Sequence, residues 1–175
     1  YTGTKITNNT IGSSVVSDYV TGYGIFAQYQ ENIEITGNTV FNIISNLYPT
    51  GIYCYNVNPC TISKNNIHDV VFTSTASPYA GRGIDIVLPD ENNINLNVNN
   101  NFVSHIAGFG GDYSYLIDLP CGLCIEEEGG GDGITSGINI YFNSINLTAD
   151  ATYGLGDNNW SCAFGLGDDI VSGVN

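Results

Sequence analysis

One asparagine recurs five times along this chain in the same short context, and this repeat constrains the fold more than any other feature. The five copies read KITNNTI, IEITGNTV, TISKNNIHDV, LNVNNNFVSHI and INIYFNSI, and the shared residues are Asn9, Asn38, Asn65, Asn101 and Asn143. An aliphatic residue stands three positions before each asparagine, and another stands two positions after it. A unit that recurs in this way buries its apolar face only by stacking on its neighbours, so the repeat predicts a solenoid.

A second segment with the character of a β-strand lies between the asparagine copies. Gly-Ile followed by alternating residues appears as GIFAQ, GIYCY and GIDIV. Alternation with a period of two predicts one inward and one outward face for such a strand. The inner face is expected to carry Ile25, Ala27, Ile52, Cys54, Ile84 and Ile86. The outer face then carries Phe26, Tyr53 and Asp85.

The expected fold is all-β: a right-handed, single-stranded parallel β-helix of about five to six coils. The aligned asparagines lie 27 to 42 residues apart, and such constant strands with variable spacers are typical of a solenoid whose insertions lie in outer loops. We expect each recurring asparagine to adopt a bridge or left-handed backbone angle and to hydrogen-bond the asparagines of the coils above and below. The interior should be an aliphatic ladder of nearly fully buried side chains. Its members are expected to be Ile35, Ile62, Val98 and Ile140, together with Ile25, Ile52 and Ile84.

These segments resemble a known family. GIFAQYQENIEITGNTVFNI and GIYCYNVNPCTISKNNIHDV look like the parallel β-helix repeat of pectate-lyase-like proteins, and SGINIYFNSINLT is similar to repeats in large secreted surface proteins of Bacteroidetes-type bacteria. The resemblance covers roughly residues 4 to 148. It implies a right-handed β-helix and an extracellular, cell-surface location. It implies no particular reaction, because the family includes lyases, hydrolases, adhesins and inert stalks.

The net charge of the chain limits the classes of molecule that it is expected to bind. Asp and Glu number 17 against 3 Lys and Arg, which gives a net charge of −14. Such a charge repels phosphate backbones and anionic lipid, so neither nucleic-acid binding nor membrane insertion is expected. We expect residues 1–175 to be a single segment of a longer solenoid with uncapped ends. Its partners would be neighbouring coils of a longer chain or further copies associated end to end, since an open coil exposes unpaired strand edges.

The five cysteines are too few and too scattered for a recognisable zinc site, because only His68 and His105 could complete one. Cys121 and Cys124 are the expected disulfide pair, placed on a long polar loop. Cys54 and Cys60 should both point inward in one coil, either as buried thiols or as a second disulfide.

The charged residues that could serve catalysis do not form a convincing set. Lys64 stands at the corner before Asn65 and is expected to be solvated. Arg82 precedes a strand with Asp85 three residues on, which fits a local ion pair or a contact to substrate. Asp168 and Asp169 resemble the paired aspartates of β-helix glycoside hydrolases, but the other motifs of those enzymes are missing. The catalytic residues therefore stay unknown, and an enzyme is the less favoured interpretation.

Two binding sites are candidates. Glu126, Glu127 and Asp132 lie in the acidic, glycine-rich run IEEEGGGDG, where oxygen ligands suit Ca²⁺, although a solvated acidic loop explains the run equally. Phe26, Tyr53 and Tyr55 could offer flat rings to carbohydrate, although they could also pack beneath loops.

The expected function follows from the repeat and from the lack of a convincing catalytic set. We expect a secreted structural or adhesive β-helix segment of a surface or filament protein, with carbohydrate contact. The alternatives are a polysaccharide lyase or glycoside hydrolase of the β-helix class and a non-catalytic carbohydrate-binding module.

Overall fold

Each repeat of the sequence folds as three short strands, and the same three strands recur in every coil. In the described part of the chain the only helical element is one turn of 3₁₀ helix at Val16–Asp18. The residues that the structure describes contain fifteen strands in three parallel sheets of five strands each, so the protein is all-β and has the architecture of a parallel β-helix. The computed structural model describes residues 2–74, 79–91, 93–108, 119–128, 136–147 and 161–167.

Each sheet takes one strand from each of the five coils. The first sheet contains the strands that precede the recurring asparagine: β1 (Lys5–Thr7), β4 (Ile33–Thr36), β7 (Cys60–Ser63), β10 (Asn93–Asn99) and β13 (Ser136–Tyr141). The second contains the strands that follow it: β2 (Thr10–Ile11), β5 (Thr39–Ser45), β8 (Asn66–Phe72), β11 (Phe102–Ala107) and β14 (Ser144–Asn146). The third contains β3 (Tyr23–Gln28), β6 (Thr50–Tyr55), β9 (Arg82–Leu88), β12 (Cys121–Glu127) and β15 (Cys162–Leu166).

The strands pair in the register that the repeat predicts, and the interior is an aliphatic ladder. In the first sheet Ile35 pairs with Ile62, and Ile62 with Val98. All three are fully buried. In the third sheet Ile25, Ile52 and Ile84 stack in the same way and are at most 4 % exposed. The predicted core is therefore confirmed for these six positions.

Ile140 departs from the prediction of near-complete burial, because it is only partly buried. It pairs with Val98 on one side, and its strand β13 is the outermost of the first sheet in the described chain. An edge position of this kind lacks the packing of a second neighbouring coil, so part of its side chain stays accessible.

The recurring asparagines form a continuous hydrogen-bonded column at the corner between the first and second sheets. Each of the first four asparagines donates twice to the Oδ1 of the next asparagine, once from its side-chain amide and once from its backbone N–H, at 2.9–3.0 Å. The second amide hydrogen reaches back to a carbonyl of the preceding coil, for example from Asn65 to Ile35 at 2.9 Å. A buried ladder asparagine such as Asn65 therefore uses its whole hydrogen-bonding capacity.

The left-handed backbone angle expected for these asparagines falls one residue earlier. The asparagines themselves are not among the residues with positive φ, whereas the residue before each of them has φ between 54° and 70°. Both the asparagine and the residue before it donate backbone N–H groups to the next coil, for example Asn65 and Lys64, and the chain turns at the earlier of the two positions. The left-handed positions are Asn8, Gly37, Lys64, Asn100 and Phe142.

Candidate functional site

The outer surface of the third sheet repeats one four-residue pattern in four successive coils. A glycine followed by Ile or Leu is flanked by two residues, and in three of the four copies the side chains of these two residues contact each other. The four copies are Tyr23–Phe26, Thr50–Tyr53, Arg82–Asp85 and Cys121–Cys124. The Cα atoms of the last flanking pair are 6.3 Å apart, whereas three residues of a straight strand would separate them by about 10 Å. The strand therefore bends within the pattern and brings its two flanking side chains together.

The glycines of this pattern are required by close packing against the second sheet. A Cβ added at Gly51 would lie 2.4 Å from Ile67 Cγ2 and 2.6 Å from the Gly83 carbonyl oxygen. A Cβ at Gly83 would likewise lie 2.4 Å from Val103 Cγ1. The glycine thus leaves room for an aliphatic side chain of the second sheet, and this room permits the bend.

Aromatic side chains occupy this surface in the first two coils. Tyr23, Phe26 and Tyr53 have ring centroids 5.1–5.5 Å apart, and the Tyr53 ring lies within 25° of parallel to each of the other two. Phe26 is 49 % exposed and Tyr23 is 41 % exposed. These three residues are called the aromatic platform below; their rings stack on one another, two of them are exposed, and Tyr53 is half-buried.

A pocket of about 120 Å³ opens beside the platform, at the boundary between the second and third coils. Its wall is aromatic on one side and charged on the other. The residues that give it this character are Tyr23, Tyr48, Tyr53, Arg82, Asp85 and Glu126. It is called the Arg82 pocket below.

Arg82 and Asp85 are the buried charges of this pocket, each 5 % exposed. Arg82 Nη1 donates to Asp85 Oδ2 at 2.7 Å and to Glu126 Oε1 at 3.3 Å. In the register of the third sheet, the Cys121–Cys124 disulfide lies directly on one side of the Arg82–Asp85 pair. Thr50 and Tyr53 lie on the other side, so neighbouring coils remove the pair from solvent.

Burial and charge set the pKa values in the Arg82 pocket. Burial raises the pKa of Asp85 to about 6, although the neighbouring Arg82 opposes this rise. For Arg82, burial favours the neutral form, but the attraction of Asp85 and Glu126 outweighs it and leaves the pKa above its ordinary value. Burial, and after it the negative charge of Asp85, raises the pKa of Tyr53 to about 12. Tyr53 is therefore a neutral phenol at physiological pH, with an O–H that can donate.

Comparison of the chain with protein-family models, with curated proteins and with solved structures found no match. The resemblance to pectate-lyase-like repeats therefore stays an expectation based on sequence, and any function has to be argued from the geometry.

The structure brings together two of the three residues expected to contact carbohydrate. Phe26 and Tyr53 are register partners with stacked rings, and both belong to the aromatic platform. Tyr55 lies further along β6, with its ring 6.5 Å from that of Tyr53, and its hydroxyl donates to Glu128. That hydrogen bond raises the pKa of Tyr55.

Two of the three expected calcium ligands lie in strand β12. Glu126 and Glu127 are the last residues of β12, and the Glu126 carboxylate contacts Arg82. Asp132 lies outside the described residues, as do Asp168 and Asp169. Within the described ranges, no group of three His, Cys, Asp or Glu side chains is arranged to hold a metal ion.

The disulfide forms between the expected residues but in a different place. Cys121 and Cys124 are bonded to each other and fully buried, and they lie in strand β12 instead of on a polar loop. The bend at Gly122 is what brings two cysteines of one strand within reach. Cys54 and Cys60 point into the core as expected, and both are free thiols.

A second polar cluster on the second sheet joins the two histidines of the chain. His68 Nδ1 lies 2.6 Å from Asp69 Oδ2, and His105 Nδ1 contacts the other oxygen of the same carboxylate. Burial would raise the pKa of Asp69, but the hydrogen bonds from both histidines outweigh it and lower the pKa. The cluster connects the third coil to the fourth through hydrogen bonds.

Lys64, the other basic residue singled out from the sequence, is exposed at its corner, as expected.

Sequence reasoning did not include Tyr23 among the candidate site residues, and it interpreted Arg82 with Asp85 as a local ion pair or a contact to substrate. A detectable signal was present: the pattern of a glycine and an aliphatic residue between two outward positions recurs at Gly122, with Leu123 in place of Ile. Aligning all four copies places Tyr23, Arg82 and Cys121 in one column and Phe26, Asp85 and Cys124 in the next.

The described residues contain no helix with the length and hydrophobicity needed to span a bilayer.

Proposed function

We propose that this chain is a structural or adhesive β-helix segment of a secreted surface protein and that it contacts carbohydrate through the aromatic platform. The observation that carries the proposal is the platform itself, a cluster of three rings from two coils, of which the rings of Tyr23 and Phe26 are exposed. Contiguous exposed apolar surface on a soluble protein marks an interaction site. Flat rings suit the C–H faces of pyranose sugars, which are themselves flat and apolar.

The remaining surface chemistry supports a sugar over other partners. A net charge of −14 disfavours nucleic acid and anionic lipid. Polar groups in the Arg82 pocket lie directly beside the platform, so a ligand stacked on the rings also meets hydrogen-bonding partners. A few placed polar groups around apolar contact area are typical of a small-molecule site. The disulfide in β12 fits an oxidising compartment.

The test is a comparison of two exposed phenylalanines. Phe26→Ala removes a ring of the platform, whereas Phe102→Ala removes a ring of similar exposure, 46 %, from the second sheet. We expect Phe26→Ala to weaken binding in a panel of soluble oligosaccharides at least tenfold, or about 1.4 kcal/mol, as measured by calorimetry. Phe102→Ala should leave affinity unchanged. Equal losses in both variants, or no binding by the wild type, would contradict the proposal.

A second candidate function is glycoside hydrolysis, favoured by one specific observation. Asp85, with a pKa raised to about 6, shares Arg82 with Glu126, and two carboxylates with different environments are the usual acid and base of this reaction. Release of new reducing ends from a bound polysaccharide, abolished by Asp85→Asn and by Glu126→Gln, would establish it. Binding of the polysaccharide without release of reducing ends would favour the adhesive function over hydrolysis.

A further inference from the structure

The four-residue pattern of the third sheet continues in β15 in an altered form. In the register of that sheet Cys162 pairs with Cys121, and Gly165 pairs with Cys124. The fifth coil therefore repeats the first cysteine of the fourth coil but has glycine in place of the second. Cys162 is a free thiol, and its Sγ donates to the carbonyl oxygen of Phe164 at 2.9 Å.

The register of β15 brings Cys162 within disulfide reach of Cys121. Adjacent strands lie about 4.8 Å apart, and the Cα atoms of disulfide-bonded cysteines lie about 4.4–6.8 Å apart. The Cys162 backbone N–H donates to the Pro120 carbonyl oxygen at 2.8 Å, which holds the two strands together at this position. Register partners of a parallel sheet point to the same face, so the side chain of Cys162 lies beside the Cys121–Cys124 disulfide.

An attack by Cys162 on this disulfide requires no access from solvent. Cys121 and Cys124 are fully buried, so a dissolved thiol does not reach their sulfur atoms. Cys162 is part of the neighbouring coil that covers Cys121, and it is itself only half-buried. Its strand is the outermost of the third sheet in the described chain, which leaves its side chain room to rotate from the Phe164 carbonyl towards Cys121.

We propose that Cys162 exchanges with the Cys121–Cys124 disulfide, so that one disulfide alternates between a bond within β12 and a bond between the fourth and fifth coils. The Cys162 thiolate attacks Cys121 Sγ and forms the Cys121–Cys162 bond. The Cys121–Cys124 bond breaks, its electron pair goes to Cys124 Sγ, and this sulfur takes up the proton that Cys162 released. One disulfide and one thiol are present before and after the step, so no oxidant or reductant is needed. The exchange is independent of carbohydrate binding.

The exchange changes what the disulfide holds together. The Cys121–Cys124 bond joins two residues of one strand that are 3 positions apart. The Cys121–Cys162 bond closes a much longer segment and joins β15 covalently to the neighbouring strand of its sheet. A disulfide that closes a longer loop removes more freedom from the unfolded chain and stabilises the fold more. The bond between coils is therefore expected to hold the fifth coil on the solenoid more firmly.

The experiment maps the disulfides of the folded wild-type protein over time. Burial raises the pKa of the Cys162 thiol, so the protein is incubated without reductant at about pH 9, where more of the reactive thiolate is present. Samples are quenched in acid, unfolded, alkylated, digested after acidic residues and identified by mass spectrometry. We expect peptides linked through Cys121 and Cys162 from at least about a tenth of the molecules, with alkylated Cys124 increasing as alkylated Cys162 decreases. The rate should not depend on protein concentration, because the attack is intramolecular.

Two variants separate the roles of the cysteines. Cys162→Ser removes the attacking thiol and should retain the Cys121–Cys124 bond throughout the incubation. Cys124→Ser leaves Cys121 without its partner in β12 and should form the Cys121–Cys162 bond on oxidation in air. Hydrogen exchange of the β15 amides should then be at least about tenfold slower than in the same variant after reduction. Circular dichroism shows whether each variant is folded, and the wild-type result stands without either of them.

The outcomes that contradict the proposal are specific. Retention of the Cys121–Cys124 bond alone in the wild type would overturn the exchange. A bond between Cys162 and Cys124, identified by an alkyl label on Cys121, would overturn the attack that the register predicts. An exchange rate that rises with protein concentration would mean a reaction between copies of the chain and would overturn the intramolecular step.

Discussion

At the scale of single residues, the buried polar side chains of this protein form two contrasting groups. The ladder asparagines Asn38, Asn65 and Asn101 are 1 % exposed and fully hydrogen-bonded along the axis of the solenoid. Arg82 and Asp85 are nearly as buried, yet each keeps one atom unpaired among the described residues. The first group stabilises the fold, whereas each unpaired atom of the second group costs about 1–3 kcal/mol.

Replacing a central ladder asparagine should destabilise the protein strongly. Asn65→Ala removes the acceptor of the Asn38 backbone and side-chain N–H groups and leaves the Ile35 carbonyl without its donor. With about 1–3 kcal/mol for each buried group left unpaired, we expect a loss of about 3–5 kcal/mol in the free energy of unfolding, measured by urea denaturation. Asn46→Ala, at an exposed position, should change it by less than about 0.5 kcal/mol. Similar small effects in both variants would contradict the role of the ladder.

The raised pKa of Asp85 predicts a specific dependence of stability on pH. Its pKa is about 6 in the folded protein against 3.8 ordinarily, so between pH 6 and pH 4 the folded state binds more protons than the unfolded state. This group therefore adds stability as the pH falls through that window, by up to about 3 kcal/mol. The Asp85→Asn substitution removes this titratable carboxyl group. The difference in unfolding free energy, wild type minus Asp85→Asn, should rise from pH 7 to pH 4. A constant or falling difference would show that the Asp85 pKa is not raised.

At the scale of strands, the sequence predicted each of the three recurring elements, and for a physical reason. Ladder positions repeat because like side chains stack on like, so Ile35, Ile62 and Val98 already stand out as a pattern in the amino-acid sequence. The fourth copy of the third-sheet pattern was missed because Leu123 replaces Ile and because cysteines flank it. The Arg82–Glu126 contact joins residues 44 positions apart, and no local pattern encodes it. It emerges only from the stacking of coils.

The glycine of the third-sheet pattern should be intolerant of a methyl group. Gly83→Ala would place its Cβ 2.4 Å from Val103 Cγ1 and 2.5 Å from the Gly122 carbonyl oxygen, in contacts that the core cannot relieve without shifting backbone. We expect a loss of about 1–3 kcal/mol in unfolding free energy, as is usual for overpacking. Gly167→Ala is the matched control, because its nearest neighbour would lie farther away, at 3.3 Å, and it should have a smaller effect. Equal effects would mean that backbone freedom, and not close packing, accounts for the glycine.

At the scale of the whole molecule, the outer face of the third sheet changes character from coil to coil. It is aromatic at Tyr23 and Phe26, mixed at Thr50 and Tyr53, charged at Arg82 and Asp85 and closed by a disulfide at Cys121. Since each coil contacts mainly its neighbours, the order of coils alone creates this gradient. The candidate site lies where the aromatic and charged coils meet.

The central claim is that the solenoid presents the aromatic platform as a site for carbohydrate. A crystal structure of the protein with the soluble oligosaccharide that binds most tightly tests it most directly. We predict five stacked coils joined by the asparagine ladder, with a sugar ring in contact with Tyr23, Phe26 or Tyr53. A sugar bound on another face would contradict the account.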